Sequence, residues 1–163
     1  MEFRIRQAVP ADADDIAAAH IDSIRTIGPS YYTADVVSDW CARIQPRIYV
    51  DAMAGGEVFF IAAGPLDGKL IVLGFSSYRR NGDSYRMAVY VRGKAARHGV
   101  GSALFRTAEG AARAAGATSI EIDASIAALE FYRANGFEET GRGTHRLSSG
   151  RSMACVFMRK ALG

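Results

Sequence analysis

The chain has 163 residues, with 20 Lys and Arg against 17 Asp and Glu, a formal charge of +3 and a pI near 9.0. That length suits one domain, 1–163, with a sizeable core, and 49% hydrophobic with 23% charged residues is a globular rather than a disordered composition. The small positive excess is too weak to argue for a nucleic-acid partner, no apolar run reaches membrane-spanning length, and the N-terminal "MEFRIRQAVPADADD" lacks the apolar core of a signal peptide; a cytoplasmic protein with neither a membrane nor a nucleic-acid partner is expected.

In chain order, "FRIRQA" at 3–8 alternates Phe3 and Ile5 with Arg4 and Arg6, the pattern of a half-buried strand. Pro10 opens a helix whose first turn holds Asp12, Asp14 and Asp15, where carboxylates favour the positive end of the dipole. Ile16, Ile24 and Ile27 mark its apolar side, and Gly28-Pro29-Ser30 ends it. Thr33 is an N-cap for a second helix with Val36, Val37, Trp40 and Ile44 at helical spacing. Gly55-Gly56 then breaks the chain.

Strands follow at 57–64 and 70–80, joined by a turn centred on Asp67-Gly68. Asn81-Gly82 is the strongest hairpin signal, returning the chain antiparallel over 84–91. Leu104, Ala108, Ala111 and Ala115 predict a helix, with Gly116 as a left-handed cap. A strand at 119–124, a short helix at 126–134 between Ser125 and Asn135-Gly136, and strands at 137–141 and 152–160 complete the chain. The order β-α-α-β-β-β-α-β-α-β-β predicts an α/β layered domain: a central mixed, mostly antiparallel sheet of about seven strands flanked by about four helices. Cys41 and Cys155 match no disulfide or metal spacing and read as small buried apolar side chains; no metal is expected. His20 and His145 lack ligand partners, and Trp40 reads as core.

The chemistry is concentrated in "YVRGKAARHGVGSALF", 90–105. Gly99 and Gly101 stand at the start of the predicted helix, among Arg92, Lys94 and Arg97. Glycines let an anion approach the backbone, and a helix N-terminus offers free N–H groups and a positive dipole end. Neither the P-loop nor the dinucleotide pattern G-x-G-x-x-G fits, because Leu104 stands where the third glycine belongs. With no embedded P-loop lysine, a diphosphate held as a handle is the expectation, not phosphoryl transfer.

Two motifs carry a resemblance. Val89-Tyr90-Val91 followed by Ala96-Arg97-His98-Gly99-Val100-Gly101 resembles the acetyl-CoA loop of the GNAT acetyltransferases, Q/R-x-x-G-x-G/A after an apolar-Tyr-Val strand end, with Ala96 at the usual Arg or Gln. "SIAALEFYRANGF" at 125–137 resembles the family's second motif through Ser125, Ala128, Phe131, Tyr132, Gly136 and Phe137. The resemblance implies the GNAT fold and acetyl transfer from acetyl-CoA, as cosubstrate, to the amine of a small molecule or peptide, in a family that often forms homodimers. It implies a CoA site of Val89, Tyr90, Val91, Arg97, His98, Gly99, Val100, Gly101, Ser102, Ala103, Ser125 and Tyr132. Tyr132, from its sequence context a packing aromatic beside Phe131, becomes the expected general acid: a phenol titrates near 10 and a thiol near 8.5, and Tyr132 is expected to hand its proton to the leaving thiolate. The base is open between Glu121 and Asp123, which share one face of a strand, and a water chain. Tyr31 and Tyr32 are expected to wall the acceptor pocket, pointing opposite ways. The strand 84–91 carries no carboxylate after Asp83, which leaves a non-catalytic acyl-CoA-binding regulatory module as the alternative.

Overall fold

The alternation of Phe3 to Arg6 does build the first strand: in the computed structural model, which describes residues 1–163, β1 spans Arg4–Gln7 and a one-turn 3-10 helix, Pro10–Asp12, leads into α1, Ala13–Ile27. Asp12 does more than face the dipole. It is 8% exposed, accepts two hydrogen bonds from the Arg6 guanidinium at 2.7 and 2.8 Å and one from the Val9 N–H at 2.8 Å, and so joins strand to helix. The Arg6 fork holds its carboxyl below the usual range against the cost of burial.

Thr33 caps α2, Ala34–Ala42, accepting the Val36 N–H at 3.4 Å. A further helix, α3, Pro46–Ala54, stands where the sequence showed no clear periodicity. Its start signal is Pro46 at the first helical position after an extended Gln45, and Tyr49 is its one buried side chain. The chain therefore carries five α-helices rather than about four.

Then come β2, Val58–Leu66, β3, Lys69–Asn81, and β4, Ser84–Val91. Asn81 pairs with Ser84, so the hairpin turn is Gly82-Asp83 and not Asn-Gly. Gly82 takes φ 63°, as a type II′ turn requires of its first central residue. The remaining elements are α4, Val100–Ala114, β5, Ser119–Ser125, α5, Leu129–Ala134, β6, Glu138–Arg146, and β7, Ser152–Ala161. The buried stripe of α4 is Val100, Leu104, Phe105, Ala108 and Ala112; Leu104 and Ala108 are on the line read from the sequence, while Ala111 is half-buried and Ala115 exposed.

The sheet runs β1-β2-β3-β4-β5-β7-β6. Helices α1 to α3 pack on one face around Ile16, Ile24, Tyr49 and Phe75. Helices α4 and α5 pack on the other around Phe105, Ile120, Tyr132 and Met158. No helix is long and apolar enough to cross a membrane.

One junction in the sheet positions everything that follows. β4 and β5 are its only parallel neighbours, joined by the α4 crossover, and they pair only at Tyr85↔Ile120 and Arg86↔Glu121. Past that point β5 stays bound to β7 as far as Ser125↔Cys155, and β4 to β3 as far as Gly74↔Val91. The two strands part between them, leaving 87–91 and 122–125 without a partner on the facing edges. A V-shaped gap opens in the middle of the sheet.

Candidate active site

The start of α4 lies beyond the C-terminal end of β4. The loop that leads to it is pinned on one side: Arg92 Nε donates to Val72 O at 2.7 Å, and the Gly93 N–H donates to Asp22 of α1 at 2.9 Å. Lys94 Nζ is 2.6 Å from Asp67. Of the three basic residues grouped by the sequence, only Arg97 makes no ion pair, so a basic cluster free to meet an anion is not what the loop offers.

Its backbone offers more. The amides of Ala95 and Ala96 are spent on Arg92 O and Gly93 O, and the first helical bond of α4 runs from Ala103 N–H to Gly99 O at 3.1 Å. The N–H groups of Arg97, His98, Gly99, Val100, Gly101 and Ser102 have no partner in the protein. Consecutive free amides at the positive end of a helix form an anion cradle. Gly99 is the N-cap in the left-handed region, φ 83°, and Arg97 takes φ 63°. For a non-glycine residue that costs roughly 1–2 kcal/mol, a strain concentrated where the amides converge.

The two glycines serve different ends. A Cβ on Gly99 would meet nothing within 4 Å, whereas one on Gly101 would lie 3.2 Å from Phe131 Cε2 and 3.4 Å from Val91 Cγ2. At Gly101 packing makes its own demand for the missing side chain, beside the expected approach of a phosphate. Its missing side chain lets α4 close on β4 and α5. Val100, fully buried, anchors the same turn, while Arg97 and His98 are exposed and Ser102 and Ala103 half-buried.

A cleft of about 280 Å³ fills the V, and Val89, Tyr90, Asp123, Ser125 and Tyr132 are among the residues that line it. Tyr132 is 5% exposed and is held edge-on by Phe131 and Phe137 with ring centroids 5.2 and 5.3 Å away. Burial pushes its phenol well above the ordinary value, Tyr90 adding to the rise and a backbone hydrogen bond at Val89 opposing it. Tyr90 stacks on Phe75 at 5.6 Å and lies 4.0 Å from the His20 ring; burial pushes its hydroxyl up to about 12. His20 Nδ1 is 2.7 Å from the Tyr49 hydroxyl, and its Nε2 is buried without a hydrogen-bond partner. Burial, helped by the charge of Arg43, pushes that imidazole down to about 3, so it is neutral at physiological pH.

Of the two expected carboxylates, Asp123 lines the cleft, with its Oδ2 3.1 Å from Arg86 Nη2. Glu121 does not; it pairs with Arg86 at the last rung before β4 and β5 part. A second carboxylate comes from a place the sequence did not flag. Glu57, just before β2, reaches the cleft and accepts the Ser77 hydroxyl at 2.8 Å. Tyr31 and Tyr32 do point different ways, but neither lines the cleft. Tyr31 is 52% exposed, and the Tyr32 hydroxyl donates to Ala154 O and accepts from Ile126 N–H, each at 2.7 Å, clamping β7 to the turn before α5. The first two helices reach the cleft through other residues, His20 and Trp40, with Arg43 at the end of α2 and His145 from β6. Reading His20, His145 and Trp40 as purely structural missed that position.

An acetyltransferase (GNAT) domain is the family whose sequence model matches, over residues 55–139, from the entry to β2 through the start of β6. The chain belongs to the GNAT acetyltransferase family. Its fold is shared with a GCN5-related N-acetyltransferase from Rhodopseudomonas palustris at 28% identity and a TM-score of 0.83, over 98% of this chain and 95% of that one. The PaiA N-acetyltransferase of Thermoplasma acidophilum, solved with coenzyme A, superposes at 16% identity and a TM-score of 0.75, over 99% of both chains. A phosphinothricin acetyltransferase from Sinorhizobium meliloti, solved with acetyl-CoA, gives 21% and 0.73 over 100% of this chain and 90% of that one. No curated protein is significantly similar in sequence. The acetyltransferase thus places its family's two motifs on the two sides of the V: the glycine loop at the start of α4, and Tyr132 on α5.

Proposed function

We propose that the chain, acting as one domain over 1–163, moves the acetyl group of acetyl-CoA to the amine of an acceptor by direct attack inside the V-shaped cleft. The observation that carries this is the run of free amides at 97–102 leading into a sheet gap lined by Tyr132. The amides and the α4 dipole hold the diphosphate, and the unpaired edge of β4 at Val89 and Val91 hydrogen-bonds the pantetheine arm as an added strand would. A free N–H on that edge stabilises the oxyanion that develops on the thioester carbonyl. Acetyl-CoA supplies the activated thioester; the protein supplies position and proton traffic.

Asp123 takes a proton from the acceptor ammonium, directly or through one water, so that the nitrogen lone pair is free to attack. The C–N bond forms, the C–S bond breaks, and one proton must reach the sulfur. Tyr132 donates a hydrogen bond to that sulfur. The expected hand-over of a proton from Tyr132 runs uphill on those values: a proton prefers a phenol near 10 to a thiol near 8.5, and burial widens the difference. Tyr132 therefore stays protonated and stabilises the departing thiolate by its hydrogen bond, and the proton that reaches the sulfur is the one the attacking nitrogen sheds once the C–N bond has formed. The carboxylate absent from β4 is provided from β5 and from the segment before β2, so the sheet does not lack a base.

The test is thiol release from acetyl-CoA across a panel of amines, with wild-type and Tyr132→Phe protein. Amine-dependent release whose kcat falls about 10²–10³-fold in the variant, with acetyl-CoA affinity kept, supports the reading. Acetyl-CoA that binds but is consumed with no amine contradicts it.

A further inference from the structure

The acceptor side of the cleft carries an uncompensated positive charge. Arg79 and Arg86 are directly opposite across β3 and β4, a placement that repels and that sheets normally avoid. Arg86 is offset by Asp123 at 3.1 Å. The side chains of Arg79 and of Arg43, which follows α2, make no hydrogen bond or ion pair; both residues line the cleft. The remaining carboxylate of the cleft, Glu57, accepts the Ser77 hydroxyl and comes within ion-pair distance of neither arginine. Arg43 is near enough to lower the pKa of His20, so its charge is felt inside the cleft and not only in solvent.

Arg79, level with Arg86, does not belong to the diphosphate. Arg86 lies five positions before Val91 on a strand that rises about 3.4 Å per residue, roughly 17 Å from the end that leads to the amide cradle. The cleft therefore has an anion site at each end. One is built of backbone beside α4, and the other of Arg79, opposite Arg86 toward the start of β4, and Arg43 from the end of α2, both partnerless and both lining the same cleft as Tyr132 and Asp123.

We propose that the acceptor is a zwitterion: an amine joined to an oxyanion, carboxylate or phosphonate, with the oxyanion held by Arg43 and Arg79 and the amine presented at Asp123. A planar guanidinium matches either oxyanion with two parallel N–H bonds. The inference rests on the acetyltransferase reading of the cleft.

Its test uses three probe sets: the L-α-amino acids; β-alanine through 6-aminohexanoate; and 2-aminoethylphosphonate. Each is paired with a neutral counterpart, the carboxamide or the plain alkylamine. Thiol release from acetyl-CoA is measured with wild-type, Arg43→Gln and Arg79→Gln proteins, and acetyl-CoA affinity is measured separately by calorimetry. Both arginines are exposed and partnerless, so the variants fold. The expected result is release with at least one oxyanion-bearing set, a lower KM for it than for its neutral counterpart, and a rise in that KM of roughly ten- to a hundredfold in each variant, with acetyl-CoA affinity unchanged. The set that responds distinguishes carboxylate from phosphonate. Equal or better use of the neutral amines, release with none of the oxyanion probes by a protein that binds acetyl-CoA, or variants that leave KM unmoved overturns the inference alone. Failure to bind acetyl-CoA brings down the acetyltransferase reading and the inference with it.

Discussion

Replacing Gly101 separates two explanations of the loop that predict opposite results. If its lack of a side chain kept carbon away from a phosphate, any Cβ there would cost affinity and leave stability alone. The packing predicts the reverse. An alanine Cβ would sit 3.2 Å from Phe131 Cε2 and 3.4 Å from Val91 Cγ2, a few tenths of an ångström too close. Ring-edge atoms can give that much, and the loss is offset by the helix propensity of alanine over glycine, about 1 kcal/mol. Gly101→Ala should therefore leave the melting temperature within a few degrees of wild type and acetyl-CoA affinity within a few-fold. Gly101→Val adds two methyl groups against the same ring and valine, overpacking that costs about 1–3 kcal/mol. In a chain of this size that lowers Tm by roughly 2–12 °C. Because Phe131 is edge-on to Tyr132 at 5.2 Å, kcat should fall along with it. Thermal denaturation and acetyl-CoA calorimetry on both variants make the comparison. A Gly101→Ala protein with unchanged Tm but a tenfold or greater loss of acetyl-CoA affinity would refute the reasoning.

Three further outcomes are expected. Asp123→Asn should lower kcat by about 10²–10⁴-fold while Glu121→Gln leaves it unchanged, read by thiol release; the opposite ranking would return Glu121 to the mechanism. Tyr32→Phe deprives Ala154 O and Ile126 N–H of their partner and should destabilise the fold by about 1–3 kcal/mol in chemical denaturation, with no change in acceptor KM. His20 is neutral in the folded state down to about 3, whereas an unfolded histidine takes up a proton near 6.5, so stability falls as pH drops through that interval. The slope it contributes is up to about 1.4 kcal/mol per pH unit, and His20→Phe should remove that part of the acid sensitivity in denaturation curves taken from pH 7 to pH 4.

What was readable in the sequence was what is local along the chain. The amide cradle and Tyr132 each sit inside one continuous stretch, and each stretch is shaped by its own residues: Gly99 at a left-handed N-cap, Asn135-Gly136 ending α5. The order of seven strands was readable for the same reason. The helix at 46–54 escaped because it fully buries only Tyr49, with Ile48, Ala52 and Met53 half-buried, and announces its start by Pro46 alone. The side of the cleft away from the amide loop escaped because it is lined by Glu57, Arg43, Arg79 and His145, drawn from four separate segments and brought together only by the fold. Tyr32 had the chemistry of a ligand-facing side chain, and nothing along the chain reveals that its hydroxyl is already bonded to β7 and to the turn before α5. Which way the absent side chain of Gly101 points is likewise a property of the packed helix, not of the motif.

The central claim is that the free amides at 97–102 and Tyr132 act on the two ends of one acetyl-CoA molecule. A crystal structure of the protein with acetyl-CoA tests it most directly. The account predicts the diphosphate oxygens within hydrogen-bond distance of the amides of residues 97–102, the pantetheine arm along the open edge of β4, and the thioester sulfur within hydrogen-bond reach of the Tyr132 hydroxyl. A diphosphate bound elsewhere, or a sulfur facing away from Tyr132, would contradict it.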